Sequence, residues 1–211
     1  ALLYIVVPRL LFVVATSLTL FRRKRRLPLP TAYAAYARKI LLETGKVSAL
    51  SAQVVSYAYE PSSDALSGLS ALLTDALGGE VKVALRASIP YGEEDTLQER
   101  VLRAPPAADC HVLLMSASAT PETENHGALI RSFQARVSNL LVIIDESPYA
   151  LRLGSDPGFA ARRSERARSW RDFVAHHGVT PCVVELRRLA PGTGSRTEAA
   201  ESVRRALSVS A

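Results

Sequence analysis

Residues 140–147 read Leu140-Leu141-Val142-Ile143-Ile144-Asp145-Glu146-Ser147. An unbroken apolar run with no polar face suits a strand of a parallel sheet that helices cover on both sides. The acidic pair that follows marks its end. Short, mostly apolar runs stand also at 54–59, 81–85, 112–115 and 182–186. Helical patterns lie between them. Leu66, Leu69, Leu73, Ala76 and Leu77 form one stripe, with Ser62, Ser63 and Asp64 as N-cap oxygens before it and Gly78-Gly79 as its stop. A second helix opens with Glu93-Glu94-Asp95, a first turn that suits the helix dipole. A third carries Leu129, Ile130, Phe133 and Val137. A fourth, over 159–177, turns Phe159, Trp170, Phe173 and Val174 inward and its arginines outward. The last starts at a capping box, Ser195 to Glu198, and presents Val203 and Leu207. Strand and helix in regular succession predict an α/β fold, a three-layer, doubly wound domain. Its sheet is expected to be five-stranded and mainly parallel, in flavodoxin-like or P-loop-like order, and preceded by a transmembrane helix.

That helix is expected in residues 1–21, ALLYIVVPRLLFVVATSLTLF, which contain a single charge, Arg9. About 20 apolar residues cross a bilayer core. Pro8 kinks or breaks a helix, and Arg9 at mid-bilayer would cost roughly 2.5–3.5 kcal/mol. The segment is therefore read as transmembrane or re-entrant. Arg22, Arg23, Lys24, Arg25 and Arg26 follow it. A secretory signal would carry its charges before the apolar stretch, so an internal or final span is favoured. The cluster sets the cytoplasmic side and lies against anionic headgroups. With Ala1 in place of Met and the apolar run beginning at once, we expect the C-terminal part of a longer polypeptide. Residues 22–46 form a basic juxtamembrane linker with a short helix at 31–43, and 47–211 a cytoplasmic α/β domain.

The chain has 26 basic and 20 acidic residues, so setting the cluster of five aside leaves 21 against 20. A nucleic-acid module would carry its basic excess within the fold, and nucleic acid is excluded as a partner on that ground. Cys110 and Cys182 fall in apolar runs without metal-ligand spacing and read as reduced, buried thiols. No metal and no cofactor are expected.

In a doubly wound sheet, ligands bind beyond the carboxyl ends of the strands. The loop after the first strand, Glu60-Pro61-Ser62-Ser63-Asp64, has neither the Gly-rich turn with Gly-Lys-Ser/Thr nor GxGxxG, so a phosphate loop is missing. The loop after the third strand is rich in hydroxyls, and Ser116, Ser118, Thr120 and Glu122 are candidate ligand or partner contacts. Its serines lack a nucleophile elbow, and His126 stands nearby without a cysteine. Asp145 and Glu146 resemble a Walker B strand end, whose acid holds magnesium, but without a Walker A partner. Arg152, Arg162, Arg163 and Arg166 follow closely enough to pair with them. Arg163 and Arg166 complete the candidate contacts. Gly192-Thr193-Gly194-Ser195 lacks a following Lys and reads as a loop ending in a helix cap. No catalytic residue is assigned.

Three segments carry a resemblance: YIVVPRLL at 4–11, Ser118-Ala119-Thr120-Pro121, and Glu165-Arg166-Ala167-Arg168-Ser169-Trp170. Together they resemble a family of bacterial membrane proteins known as a domain of unknown function, whose genes often lie beside one for a GTPase-like membrane protein. The resemblance implies a bacterial inner-membrane location and a GTPase-like partner, and brings no catalytic residues. The expected function is a membrane-anchored protein-interaction or regulatory module. The alternative is a divergent nucleotide-binding or hydrolytic enzyme, in which Asp145 and Glu146 hold magnesium or activate water and Ser116, Ser118 or Thr120 meet phosphate.

Overall fold

Strands form along the mostly apolar runs. They are β1 (Leu50–Tyr57), β2 (Val81–Leu85), β3 (Cys110–Ser116), β4 (Leu140–Asp145) and β5 (Cys182–Val184). All residues of β4 are buried, whereas the edge strand β2 is largely exposed. The computed structural model describes residues 50–93, 108–137, 139–154, 157–192 and 196–209, within one compact unit, Ala35–Ala211. The five strands pair in the order β2-β1-β3-β4-β5, and every pairing is parallel. This Rossmann-like sheet has the flavodoxin order, which decides between the two orders expected. It is wholly rather than mainly parallel.

Strands β1 and β5 show how the boundaries differ from expectation. β1 begins at Leu50 rather than residue 54, because Leu50 and Ala52 bury one face while the polar Ser51 and Gln53 occupy the other. Its end comes at Tyr57, because Ala58 turns into the left-handed region at φ 54°. β5 stops at Val184 rather than residue 186, since Leu186–Leu189 wind into a 3-10 turn.

Helix α1 (Ser63–Leu77) starts and stops as its sequence indicates. The Ser62 hydroxyl accepts from the Ala65 amide, and Gly78, at φ 74°, donates its N–H to the Thr74 carbonyl. Its buried stripe is Ala65, Gly68, Leu69, Leu72, Leu73 and Ala76, with Leu66 and Leu77 half-buried at the margins. Gly68 is in the stripe for a steric reason: a Cβ there would collide with the Leu186 carbonyl oxygen. The missing side chain lets the 3-10 turn lie directly on α1.

The other helices are α2 (Ala128–Gln134), α3 (Ser147–Leu153), α4 (Phe159–His176) and α5 (Thr197–Val209). A π-helical turn, Thr123–Gly127, leads into α2. The helix expected after Glu93 falls on 94–107, and the capping Ser195 on 193–195, both outside the described residues. In α4, Ala167, Trp170 and Val174 are buried, whereas Phe159 and Phe173 are half-buried. Its arginines do not all face outward: Arg163 and Arg166 turn in toward the strand ends.

Two apolar layers sandwich the sheet. One joins α1, α5 and the 3-10 turn to Val54, Val112, Leu114, Leu141 and Ile143. The other joins α2 and α4 to Val55, Tyr57, Leu113, Met115, Val142 and Ile144. Each such side chain stabilises the fold by about 1.5–3 kcal/mol on burial. Cys110 and Cys182 are free and buried, and burial pushes the Cys182 thiol up to about 12. No helix among the described residues is long and apolar enough to cross a membrane. The segment expected to do so, 1–21, lies outside them, as do Arg22, Arg23, Lys24, Arg25 and Arg26 and the helix at 31–43.

Candidate functional site

Strand order reverses between β1 and β3, so the exits of these strands and of β4 form the edge where ligands bind in such sheets. At the β1 exit the left-handed turn at Ala58 redirects the chain, and Tyr59 reaches across to β4. The Tyr59 hydroxyl donates to Asp145 Oδ2 at 2.9 Å. Burial, and then the Asp145 charge, raise the phenol well above its usual range, so it remains a donor.

Asp145 closes β4 and is wholly inaccessible to solvent. Its Oδ1 accepts from the Ser147 amide at 2.9 Å, the Ser147 hydroxyl at 2.6 Å and the Leu186 amide at 3.1 Å. With Tyr59 that makes four bonds to a carboxylate that offers about four acceptor sites. The Ser147 hydroxyl also accepts from the Arg187 amide at 3.1 Å. This one side chain therefore ties the β1 exit, the start of α3 and the β5 exit together. None of its partners is an arginine.

The next residue follows the opposite rule. Arg163 donates to Glu146 Oε2 through Nη2 at 2.8 Å and Nε at 3.3 Å. Its Nη1 forms an ion pair with Glu185 Oε2 at 2.9 Å. Glu185 Oε1 in turn meets Arg188 at 3.1 Å. The hydrogen bond to Glu146 raises the Arg163 pKa against the opposing effect of burial. The salt-bridge network expected at this strand end thus exists, centred on Glu146 and Glu185 rather than on Asp145.

The loop after β3 is held down by α4. Ser116 Oγ accepts from the Ser118 amide at 3.1 Å, and the Ser118 hydroxyl is buried with no partner among the described residues. The Ala119 carbonyl accepts from Trp170 Nε1 at 3.1 Å and from Arg166 Nη1 at 3.3 Å, and Thr120 Oγ1 accepts from the same Arg166 nitrogen at 3.1 Å. Arg166 also lies 5.4 Å above the Tyr149 ring. Glu122 accepts from Asn125 at 2.7 Å and from the exposed Tyr91 hydroxyl at 3.3 Å. Its amide donates to Nδ1 of buried His126 at 3.2 Å, which fixes that nitrogen as an acceptor.

The candidate contacts therefore separate into three groups: Asp145 locked inside, Glu146 with Arg163 at the β5 side, and Ser116, Ser118, Thr120, Glu122 and Arg166 around the β3 loop. Only Glu146 and Arg163 line the larger cleft, of about 930 Å³, beside β5. A shallower hollow of about 600 Å³ lies by Tyr59, Ser88 and Tyr91 at the β1 and β2 exits. Ser116 Oγ accepts from the Ser118 amide, and among the described residues no histidine or carboxylate accepts from its hydroxyl, so no nucleophile–base pair is formed there. Among the described residues no group of three or more His, Cys, Asp and Glu side chains is placed to hold a metal ion.

Sequence reasoning missed Tyr59, Ser147 and Glu185. Tyr59 looked like the end of a strand. The signal for Ser147 was its place two residues after Asp145, where an acid commonly accepts from a following amide. Glu185 was hidden inside a run read as strand. The chain matches no family model, and no curated protein matches it.

Proposed function

We propose that this chain is a membrane-anchored cytoplasmic α/β domain that acts as a protein-interaction or regulatory module, with a GTPase-like partner at the bacterial inner membrane. The observation that carries the reading is the state of Asp145. It is fully buried and its acceptor sites are taken by Tyr59, Ser147 and Leu186. A magnesium-holding or water-activating acid needs an open oxygen, and here the acid spends its bonds on the fold. The missing phosphate loop at Glu60–Asp64 supports the same reading. The apolar segment 1–21 and the basic run at 22–26 support the anchor and its cytoplasmic side.

Affinity purification of the tagged chain from native membranes in mild detergent tests this. A reproducible stoichiometric companion protein is the expected result. Repeated recovery of the chain alone counts against it.

One observation favours the alternative nucleotide-binding or hydrolytic enzyme: the hollow at the β1 and β2 exits opens on the carboxyl edge of the sheet, beside the β1/β3 switch point where such sheets take ligands. A thermal-shift screen against GTP, ATP, GDP and FMN, with and without magnesium, separates the two readings. A ligand present at 100 times its Kd adds about 2.7 kcal/mol of stability. A raised midpoint with any of them moves the assignment to the enzyme, and flat curves leave the module ahead.

A further inference from the structure

We infer that the hollow at the β1 and β2 exits binds an organic cation of the alkylammonium class; the inference goes beyond the interaction-module reading and does not depend on it. The hollow's volume, about 600 Å³, suits a small molecule. Its walls are fixed by the fold. The Ala58 amide donates to the Ile89 carbonyl at 2.8 Å, and the Ile89 amide to the Ser56 carbonyl at 2.9 Å. The Ser88 hydroxyl lies within donating reach of the Ser56 carbonyl at 3.3 Å and the Tyr59 carbonyl at 3.2 Å, which ties the β2 exit to the β1 exit. Ala58 and Ala87, both exposed, bring only methyl groups to the lining and leave open the space that larger side chains would fill.

A free charge and a fixed ring select the occupant. Glu60 is the one charged residue of the lining, and among the described residues its carboxylate has no hydrogen-bond or ion-pair partner. Arg86, beside Ala87 in the chain, is not part of the lining. Tyr91 supplies an aromatic wall. It is 62% exposed, yet its hydroxyl donates to Glu122 at 3.3 Å and accepts from Asn125 Nδ2 at 3.0 Å, and its ring centroid lies 6.5 Å from that of Tyr57. Three contacts thus hold in place a ring that burial does not hold, and the Glu122 carboxylate adds negative charge at its edge. A phosphate would meet Glu60 and no cation of the lining. A metal ion needs several ligating side chains, and no group of three or more is placed for one among the described residues. An alkylammonium brings its charge to Glu60 and its carbon groups to the tyrosine ring and the alanine methyls, the pairing by which aromatic walls recognise such cations. A free amine and the lysine side chain of a partner share this chemistry.

The test is a ligand-observed NMR titration of the full chain, in an uncharged detergent, with choline. Choline should bind saturably, and its uncharged isostere 3,3-dimethyl-1-butanol about fivefold more weakly. Glu60→Gln should weaken choline about fivefold. Tyr91→Leu, which keeps apolar bulk and removes the ring, should weaken it about threefold. Ala87→Phe, which fills the hollow without changing charge, should abolish binding. Glu165→Gln, at an exposed acid of α4, should leave it unchanged. Every variant is titrated well below its thermal midpoint. Tighter binding of acetyl-Gly-Lys-Gly-amide, with the same response to the variants, upholds the cation and assigns it to a partner's lysine. Absence of saturable binding by both probes, equal binding of the isostere, or full binding by Glu60→Gln and Tyr91→Leu would overturn the assignment. So would a midpoint that GTP or FMN raises in the wild type and not in Ala87→Phe. A membrane purification that recovers the chain alone ends the module reading and leaves this site standing, because the titration uses the chain by itself.

Discussion

The two helical layers on the sheet are made of different chemistry. The layer of α1 and α5 is aliphatic: Leu69, Leu72, Leu73 and Val203 pack on Val54, Val112 and Ile143. It closes by shape, most tightly where Gly68 admits the Leu186 backbone. The layer of α2 and α4 is built around rings. His126 stands edge-to-face with Tyr57 at 5.1 Å and Trp170 at 5.0 Å between centroids, and Trp170 meets Phe173 at 5.8 Å. Trp170 also holds the β3 loop through the Ala119 carbonyl. One layer gains stability from area and fit, which have no direction. The other adds directed contacts, and it is the layer that pins a loop at the carboxyl edge of the sheet.

Substitutions can break this contrast. The largest effect is expected at Trp170, the only tryptophan in the chain. Trp170→Ala should cost about 3–5 kcal/mol in urea unfolding followed by circular dichroism. It should also raise amide exchange in the loop 117–122, a local response that an aliphatic truncation such as Leu72→Ala should not give. Equal exchange in the two variants would erase the distinction between the layers. Next, Gly68→Ala should cost about 1–3 kcal/mol, because the new Cβ meets backbone rather than a side chain that can turn away. A loss below about 0.5 kcal/mol would mean that the first layer does not close by shape there.

A smaller effect tests the polar clamp that joins the β1, β4 and β5 ends. Tyr59→Phe removes one donor from Asp145 and should cost about 1–2 kcal/mol at neutral pH. The cost has a pH signature. The phenol is held protonated in the fold, with its pKa raised above the ordinary 10.0. Its contribution is complete below pH 10, and it is lost above, as the unfolded chain ionises there and the fold does not. Unfolding free energies measured from pH 8 to 11 should show the gap between wild type and Tyr59→Phe shrinking above pH 10. A gap that is constant across this range sinks the assignment. The smallest effect should be at Ala58, whose φ of 54° favours glycine. Ala58→Gly should raise stability by about 0.5–1 kcal/mol, relief of a left-handed side chain outweighing the added chain freedom.

Adjacent residues Asp145 and Glu146 show how far a site can be read from residue order. Both acids, and their nearness to a run of arginines, were legible. Their division of labour was not. Asp145 points to the α1 layer side of the clamp and bonds to Tyr59 and Ser147, while Glu146 takes Arg163. The partner of each depends on which chain segments return to the end of β4, and those lie as far as 86 residues away. The hydroxyl-rich β3 loop was recognised as polar, yet its anchors, Arg166 and Trp170, sit on a helix more than forty residues later.

The five strands, their parallel character and the start and stop of α1 were determined by the sequence alone. Mostly apolar runs, a serine at the N-cap and a glycine at the C-cap act over a few residues, and a helix between successive strands makes each connection a parallel crossover. Tertiary structure decided the β2-β1-β3-β4-β5 order, the early start of β1, the burial of Asp145 and the cleft beside β5. Each of these depends on segments distant in the chain meeting at one strand end, where the desolvation of a carboxylate is offset only by donors that the fold brings to it.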